Sequence, residues 1–330
     1  MDGTRKPLSH LPRRMPRGYI IQRRGTYMEI LGLLIDKLFI MFLFMLIGVI
    51  LFRKNIITEA GSESLANLLI HLILPCVIIN GFLTERTSEK LYGFLVSLFA
   101  SVLILSISIL VARKCFFKNP IGHFAAAFSN PGFFGIPLIV SVLGTGSVFY
   151  VAPFIACLNI LQWTYGVAVL KNEQIKINFN KIIKSPFTIS FVIGIALFLS
   201  HIPIPDIFET VISTSASLNT PIAMIVSGIY LAKANIRSML TQIEFYSISI
   251  VRLLLIPAIS LLLLCLIPNR FIDVKMSLFL ATACPVGSNV AVYAQLHNKN
   301  YIYAVQTVVS STLLSMVTIP LWVIIIQYLW

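Results

Sequence analysis

Charge is scarce in this chain. Asp, Glu, Lys and Arg make up 11% of its 330 residues, against roughly 25% in soluble domains. Apolar residues reach 58% where about 45–50% is usual, and the mean hydropathy is +0.91. A soluble fold of this size could not hide that much apolar surface, so the composition excludes a soluble domain. Several catalytic signatures are missing as well. No H-E-x-x-H helix appears, which argues against a zinc metalloprotease. No P-loop appears, so the chain is not by itself an ATPase pump. No pair of embedded aspartates and no nucleophile–base arrangement stands out, and no enzyme is expected. The five cysteines, Cys76, Cys115, Cys157, Cys265 and Cys284, are scattered without metal-ligand spacing. They read as small core residues, and no metal site is expected. His71 reads as a packed polar residue rather than a metal ligand. The first 27 residues lack the apolar core of a signal peptide.

What is present is a series of long apolar runs. A helix needs about 20 residues to cross a bilayer core of roughly 30 Å. Ten stretches qualify, near 30–52, 64–83, 91–112, 120–143, 147–170, 185–204, 207–232, 244–267, 274–296 and 302–329. They are continuously apolar rather than alternating, which favours helices over a barrel. The expected fold is an all-α polytopic membrane protein. The net charge of +13 does not point to nucleic acid, because the basic residues sit in short clusters between the apolar runs. That is the pattern of loops flanking membrane spans.

Loop charges set the orientation. One set of loops carries Arg53, Lys54, Arg113, Lys114, Lys118, Lys171, Lys176, Lys181, Lys184, Lys233, Arg237 and Lys299; the other carries only Arg86, Lys90, Arg270 and Lys275. The richer set is assigned to the cytoplasm, which puts both termini outside. The N-terminal tail, residues 1–27, contradicts this with Arg5, Lys6, Arg13, Arg14, Arg17, Arg23 and Arg24. One resolution is that the native chain starts at Met28. The net charge then falls to +7, since seven of 25 basic and one of 12 acidic residues go with the tail. The other is a genuine tail and a first span that inserts less regularly.

Ten spans divide at the basic loop 171–184 into 28–170 and 185–330, five spans each. An odd number makes the second half enter from the opposite side, so an internal repeat would be inverted. The fourth span of each half is interrupted. One contains Ser129-Asn130-Pro131-Gly132-Phe133-Phe134-Gly135-Ile136-Pro137, the other Cys284-Pro285-Val286-Gly287-Ser288-Asn289. Pro75 with Asn80-Gly81 in span two is echoed by Pro221 with Ser227-Gly228 in span seven. Proline removes a backbone donor and clashes with the preceding turn, and glycine adds freedom. Together they unwind a helix in mid-membrane. The freed backbone groups cannot face lipid, so they line a cavity or meet a ligand. Half-helix N-termini at such breaks attract anions. Proline kinks that only shape packing are the plainer alternative.

Asn130-x-Gly132-Phe133-x-Gly135-Ile136-Pro137 resembles the N-x-G-F-x-G-I-P signature of the auxin efflux carrier, or membrane transport protein, family. Pro285-x-x-Ser288-Asn289 with Ala294-Gln295 is similar to that family's ninth-helix break, and Arg252-Leu253-Leu254-Leu255-x-Pro257 to its eighth helix. The resemblance spans residues 28–329. It implies ten helices as two inverted five-helix repeats, with broken, crossed helices four and nine (an NhaA-like or PIN-like plan). It implies a scaffold that includes spans one, two, six and seven. Plant members export the carboxylate hormone auxin; bacterial members are described mostly as permeases for malate, malonate and similar acids. Pro131 departs from the family, where many members have Thr or another small residue. The long cytoplasmic loop of the plant carriers is absent.

The function expected is therefore a secondary transporter that moves small organic anions such as dicarboxylates by alternating access. The alternative is a membrane receptor or scaffold that binds a metabolite without moving it. The expected substrate-binding set is Asn130, Pro131, Gly132, Gly135, Pro137, Pro285, Ser288, Asn289, Arg252 and Asn80. Arg252 is open between a counter-charge for a carboxylate and a structural arginine on broken-helix carbonyls. Asn159, Gln162, Tyr293 and Gln306 are given interhelical hydrogen bonding. Asp36 is the one acidic residue deep enough to carry a coupling proton, although with Lys37 it would also suit simple pairing or snorkelling. No cofactor is expected, and proton or ion coupling is left open. The partners expected are the anion and the lipid bilayer, with no nucleic acid and with room for a homodimer. The expected location is a bacterial inner membrane.

Overall fold

The computed structural model describes residues 26–174, 182–200 and 204–330. The basic tail up to Gly25 lies outside the described residues, as do Lys176 and Lys181 of the loop 171–184. The described residues contain helices and no strands. In chain order these are α1 (Thr26–Arg53), α2 (Glu59–Phe82), α3 (Ser88–Phe116), α4 (Pro120–Ala127), α5 (Pro131–Leu143), α6 (Thr145–Lys171), α7 (Pro186–Ser200), α8 (Asp206–Lys233), α9 (Ile236–Thr241), α10 (Ile243–Cys265), α11 (Ile272–Ala283), α12 (Asn289–Leu296) and α13 (Tyr301–Leu329). Helix α1 begins two residues before the boundary at Met28.

Among the described residues, seven helices are long and apolar enough to cross a membrane: α2, α3, α6, α8, α10, α13 and the part of α1 from Leu31. Segments α5 and α7 are apolar but shorter. The large apolar side chains on the outer faces confirm the solvent. Phe99 is 68% exposed and Leu262 71%, with many Leu, Ile and Val like them, and water would not tolerate so continuous an apolar belt. The protein is an integral membrane protein.

Asparagine and threonine mark the helix ends. Thr58, Thr87, Asn119 and Asn300 accept bonds from Gly61, Lys90, Gly122 and Tyr303 backbone N–H groups, each replacing a partner that the first turn lacks. Asn55, Asn172 and Asn298, just beyond three C-termini, take positive φ, the left-handed stop that asparagine tolerates.

Three prolines reshape their helices in one way. Pro75, Pro137 and Pro257 each follow a π-turn, Leu69–Ile73, Pro131–Gly135 and Val251–Leu255. A proline cannot serve the carbonyl four residues back, so the turn before it widens. At Leu253 the stranded carbonyl is taken by Trp322, whose Nε1 donates to it at 2.7 Å.

Packing separates two groups. Helix α1 runs against α8, with backbones in contact. A Cβ on Gly48 would fall 2.3 Å from the Ile225 carbonyl oxygen, and one on Gly228 would fall 2.0 Å from that of Met45. Helix α7 packs on the second part of α2, where a Cβ on Gly194 would fall 2.4 Å from the Phe82 ring. The other group is α3, α4, α6, α10, α11, α12 and α13, which pack chiefly on one another. Small residues let helices approach this closely where no hydrophobic force draws them together in lipid.

Candidate functional site

The two breaks meet. Helix α4 ends at Ala127 and its continuation α5 starts at Pro131; α11 ends at Ala283 and α12 starts at Asn289. Between them, the unwound segments lie antiparallel and form one isolated bridge, Ser129 opposite Val286. Asn130 N donates to the Pro285 carbonyl at 2.9 Å, and Gly287 N donates to the Phe128 carbonyl at 3.0 Å. Each break thus satisfies backbone groups that the other exposes, as a lipid-embedded chain requires. Val286 N finds the hydroxyl of Ser311 on α13 at 3.0 Å. Contact is tight: a Cβ on Gly287 would meet the Ser129 carbonyl oxygen at 2.7 Å, and one on Gly135 the Cys284 sulfur at 2.9 Å.

Side chains complete the crossing. Asn130 Oδ1 accepts from Phe133 N at 3.3 Å, capping α5, while its Nδ2 donates to Ser288 Oγ at 3.0 Å. The Asn130 carbonyl takes the N–H groups of Phe134 and Gly135, both at 3.1 Å. Asn289 Nδ2 donates to Gln162 Oε1 on α6 at 2.7 Å. Asn219 of α8 donates to the Gly132 carbonyl at 3.2 Å.

A small cavity of about 30 Å³ sits at the crossing, lined by Ser129, Asn130, Pro131, Gly132, Gly287, Ser288, Asn289 and Asn159 with Ile70, Leu74 and Phe187 among the apolar walls. It adjoins a larger cavity of about 550 Å³, with which it shares Ile70, Asn159, Phe187 and Asn289. Trp163, Val292, Tyr293 and Leu296 form much of that wall, and Lys184, Ser185 and Pro186 stand on the side of the loop 171–184. Among the described residues, Lys184 is its one lining cation. The indole of Trp163 meets the ring of Tyr293 edge-on at 5.1 Å.

Of the residues expected from sequence, Asn130, Pro131, Gly132, Ser288 and Asn289 line the cavity at the crossing. Gly135 and Pro285 lie at the crossing but outside that wall, as close-contact and carbonyl-accepting residues. Pro137 is buried one turn into α5. Asn80 is half-buried in α2 and lines neither cavity. Arg252 is 1% exposed and lines neither cavity either. Its Nη1 donates to the carbonyls of Ala126 at 3.1 Å and Ala127 at 3.2 Å, and its Nη2 donates to that of Thr282. Of the two roles left open for it, the observed contacts are those of an arginine on broken-helix carbonyls.

Four contributors lie outside the expected binding set; for Asn159 and Gln162 the expected role is interhelical hydrogen bonding, and Gln162 does bond Asn289 of α12. Asn159 and Gln162 lie three residues apart on α6, and that spacing, which puts two polar groups on one face of an apolar helix, was a usable signal. Ser129 was visible inside the motif. Asn219 carried no signal, since its contact with Gly132 spans 87 residues. Among the described residues no cluster of His, Cys, Asp and Glu could hold a metal ion.

A family model described as "Membrane transport protein" matches residues 33–323. No curated protein matches the chain.

Proposed function

Because this chain belongs to the membrane transport protein family, a family of transporters rather than enzymes, we propose that it carries small organic anions across the membrane by alternating access. The observation that carries this reading is the polarity of the crossing. Two half-helices, α5 and α12, begin at one cavity. Helix N-termini hold about half a positive charge each and free N–H groups, and a carboxylate is the natural ligand for such an end. Asn130, Ser288 and Asn289 add neutral hydrogen-bonding groups. A site of this kind holds an anion without a permanent counter-charge beside it, so the anion can also leave. Dicarboxylates, which the resemblance of the span-four motif to organic-acid permeases implies, are the first candidates.

The fold is read as ten spans in two inverted five-helix repeats. The segments α4–α5 and α11–α12 count as one broken span each. Two features support the repeat. The bridge between the breaks exchanges equivalent bonds in both directions, 130 to 285 and 287 to 128. The first span of each half also packs on the second span of the other half, α1 on α8 and α7 on α2. These four helices are the scaffold, and the group holding the crossing is the moving bundle. The larger cavity lies between them, because Ile70 and Phe187 come from α2 and α7 while Trp163 and Tyr293 come from α6 and α12. The loop charges put its Lys184 side in the cytoplasm, so this conformation faces inward with both termini outside.

Uptake of radiolabelled dicarboxylates into reconstituted vesicles, with and without a pH gradient, tests the proposal. Saturable accumulation supports it, and dependence on the gradient assigns proton coupling. Saturable binding without accumulation would instead identify a receptor.

A further inference from the structure

Arg252 is fully buried at 1% exposure. A cation taken fully out of water is costly unless it is paired and hydrogen-bonded. No carboxylate pairs with it among the described residues, and its Nε has no partner. All three of its bonds go to main-chain carbonyls, and those carbonyls belong to two different helices. Ala126 and Ala127 end α4, and Thr282 is the penultimate residue of α11. Helix C-termini carry unpaired carbonyls and about half a negative charge. The guanidinium therefore stands where two negative helix ends converge.

We propose that Arg252 is the positioning residue of the crossing. From α10 it clamps the C-terminal ends of α4 and α11 together, and through them it sets the angle at which α5 and α12 begin at the cavity. It touches no ligand. Its charge offsets the two negative poles and leaves the positive poles at Pro131 and Asn289 uncompensated, so the cavity is electropositive although no cation among the described residues lines it. Arginine suits this task and lysine does not. A planar fork holds separate acceptors in fixed directions, whereas an ammonium is a compact point charge on a flexible stem. The seat of Arg252 is itself fixed. It lies in the π-turn set by Pro257, and Trp322 holds the next carbonyl along, Leu253.

The role in ligand binding rests on the transport reading, whereas the clamp does not, and two measurements separate them. The first is amide hydrogen exchange on purified wild type and Arg252→Lys. Faster exchange is expected in both 120–143 and 272–296, with little change in α1 and α8. Exchange altered only within α10, or nowhere, would overturn the clamp whether or not the protein transports. The second is the KM and kcat of succinate uptake for Arg252→Lys and Arg252→Ala. Both variants are expected to raise KM at least tenfold. If Arg252→Lys keeps the wild-type KM while Arg252→Ala loses binding, the residue is a charge contact and the proposal fails. If both variants fold, melt earlier and keep the wild-type KM, the residue only stabilises the fold and the proposal fails again. Should wild type take up no succinate, the transport reading fails for that anion and the exchange measurement still decides the clamp.

Discussion

The two breaks look alike in sequence and differ in how they are held. The first restarts its helix with its own residues, although Asn219 of α8 and Arg252 of α10 also reach its carbonyls. Asn130 caps α5 with its side chain, and its carbonyl takes two further N–H groups of the same half-helix. The second depends on its neighbours. No side chain caps α12 from Ser288; Val286 leans on Ser311 of α13, Ser288 on Asn130, and Asn289 on Gln162 of α6. A locally closed break keeps its shape when the surroundings move. One tied to two other helices and to the opposite break changes shape with them. On the proposed transport reading, the first break is the fixed half of the site and the second is the half that couples the site to the bundle.

Five substitutions, in four comparisons, would break or sharpen this contrast. The largest effect is expected from Asn130→Ala, which removes a cap, a bond across the crossing and a cavity-lining group together. Vesicle uptake should fall by about 30-fold or more, and loss of the cap should cost about 0.5–2 kcal/mol in thermal unfolding. An unchanged melting temperature would mean that the first break is not self-held.

Asn289→Ala comes next. Its side chain bonds Gln162 but caps nothing. Uptake should drop about tenfold while stability stays within about 1 kcal/mol, the net worth of one hydrogen bond. Wild-type substrate affinity by calorimetry in both asparagine variants would remove the crossing from the site.

A matched glycine pair tests the geometry alone. A Cβ on Gly287 would collide with the Ser129 carbonyl oxygen at 2.7 Å, whereas one on Gly132 would find only the Leu74 methyls at 3.6 Å. Gly287→Ala should destabilise by about 1–3 kcal/mol, the usual cost of overpacking, and Gly132→Ala should be tolerated. Equal melting temperatures would show that the breaks are not in rigid contact.

The smallest effect belongs to Ser129→Ala. This hydroxyl is 2% exposed and has no partner, so its removal should leave stability unchanged or slightly higher, as read by thermal unfolding. A clear loss of uptake with no loss of stability would instead make Ser129 a ligand group.

Sequence-level reading reached the breaks because their cause is local. Pro131, Pro137 and Pro285 act on the turn that precedes them, and Gly132 and Gly287 act at their own positions, so no tertiary knowledge was needed to see that these helices stop and restart. Asn80 misled for an equally physical reason: a polar residue beside glycine in an apolar helix looks the same from sequence whether it faces a cavity or a neighbouring helix.

The sequence by itself determined that the chain lives in lipid, which two of its apolar runs are broken and that Asn130 and Asn289 sit at the breaks. These follow from hydropathy, turn chemistry and backbone donors, whose effects reach only a few residues. Only the tertiary structure decided that the breaks pair with each other, that Gln162, Asn159 and Asn219 join them, and that Arg252 serves carbonyls 125, 126 and 30 residues away. In lipid every polar group must find a partner within the protein. Residue type creates that need, but which of many distant groups meets it depends on how the helices pack.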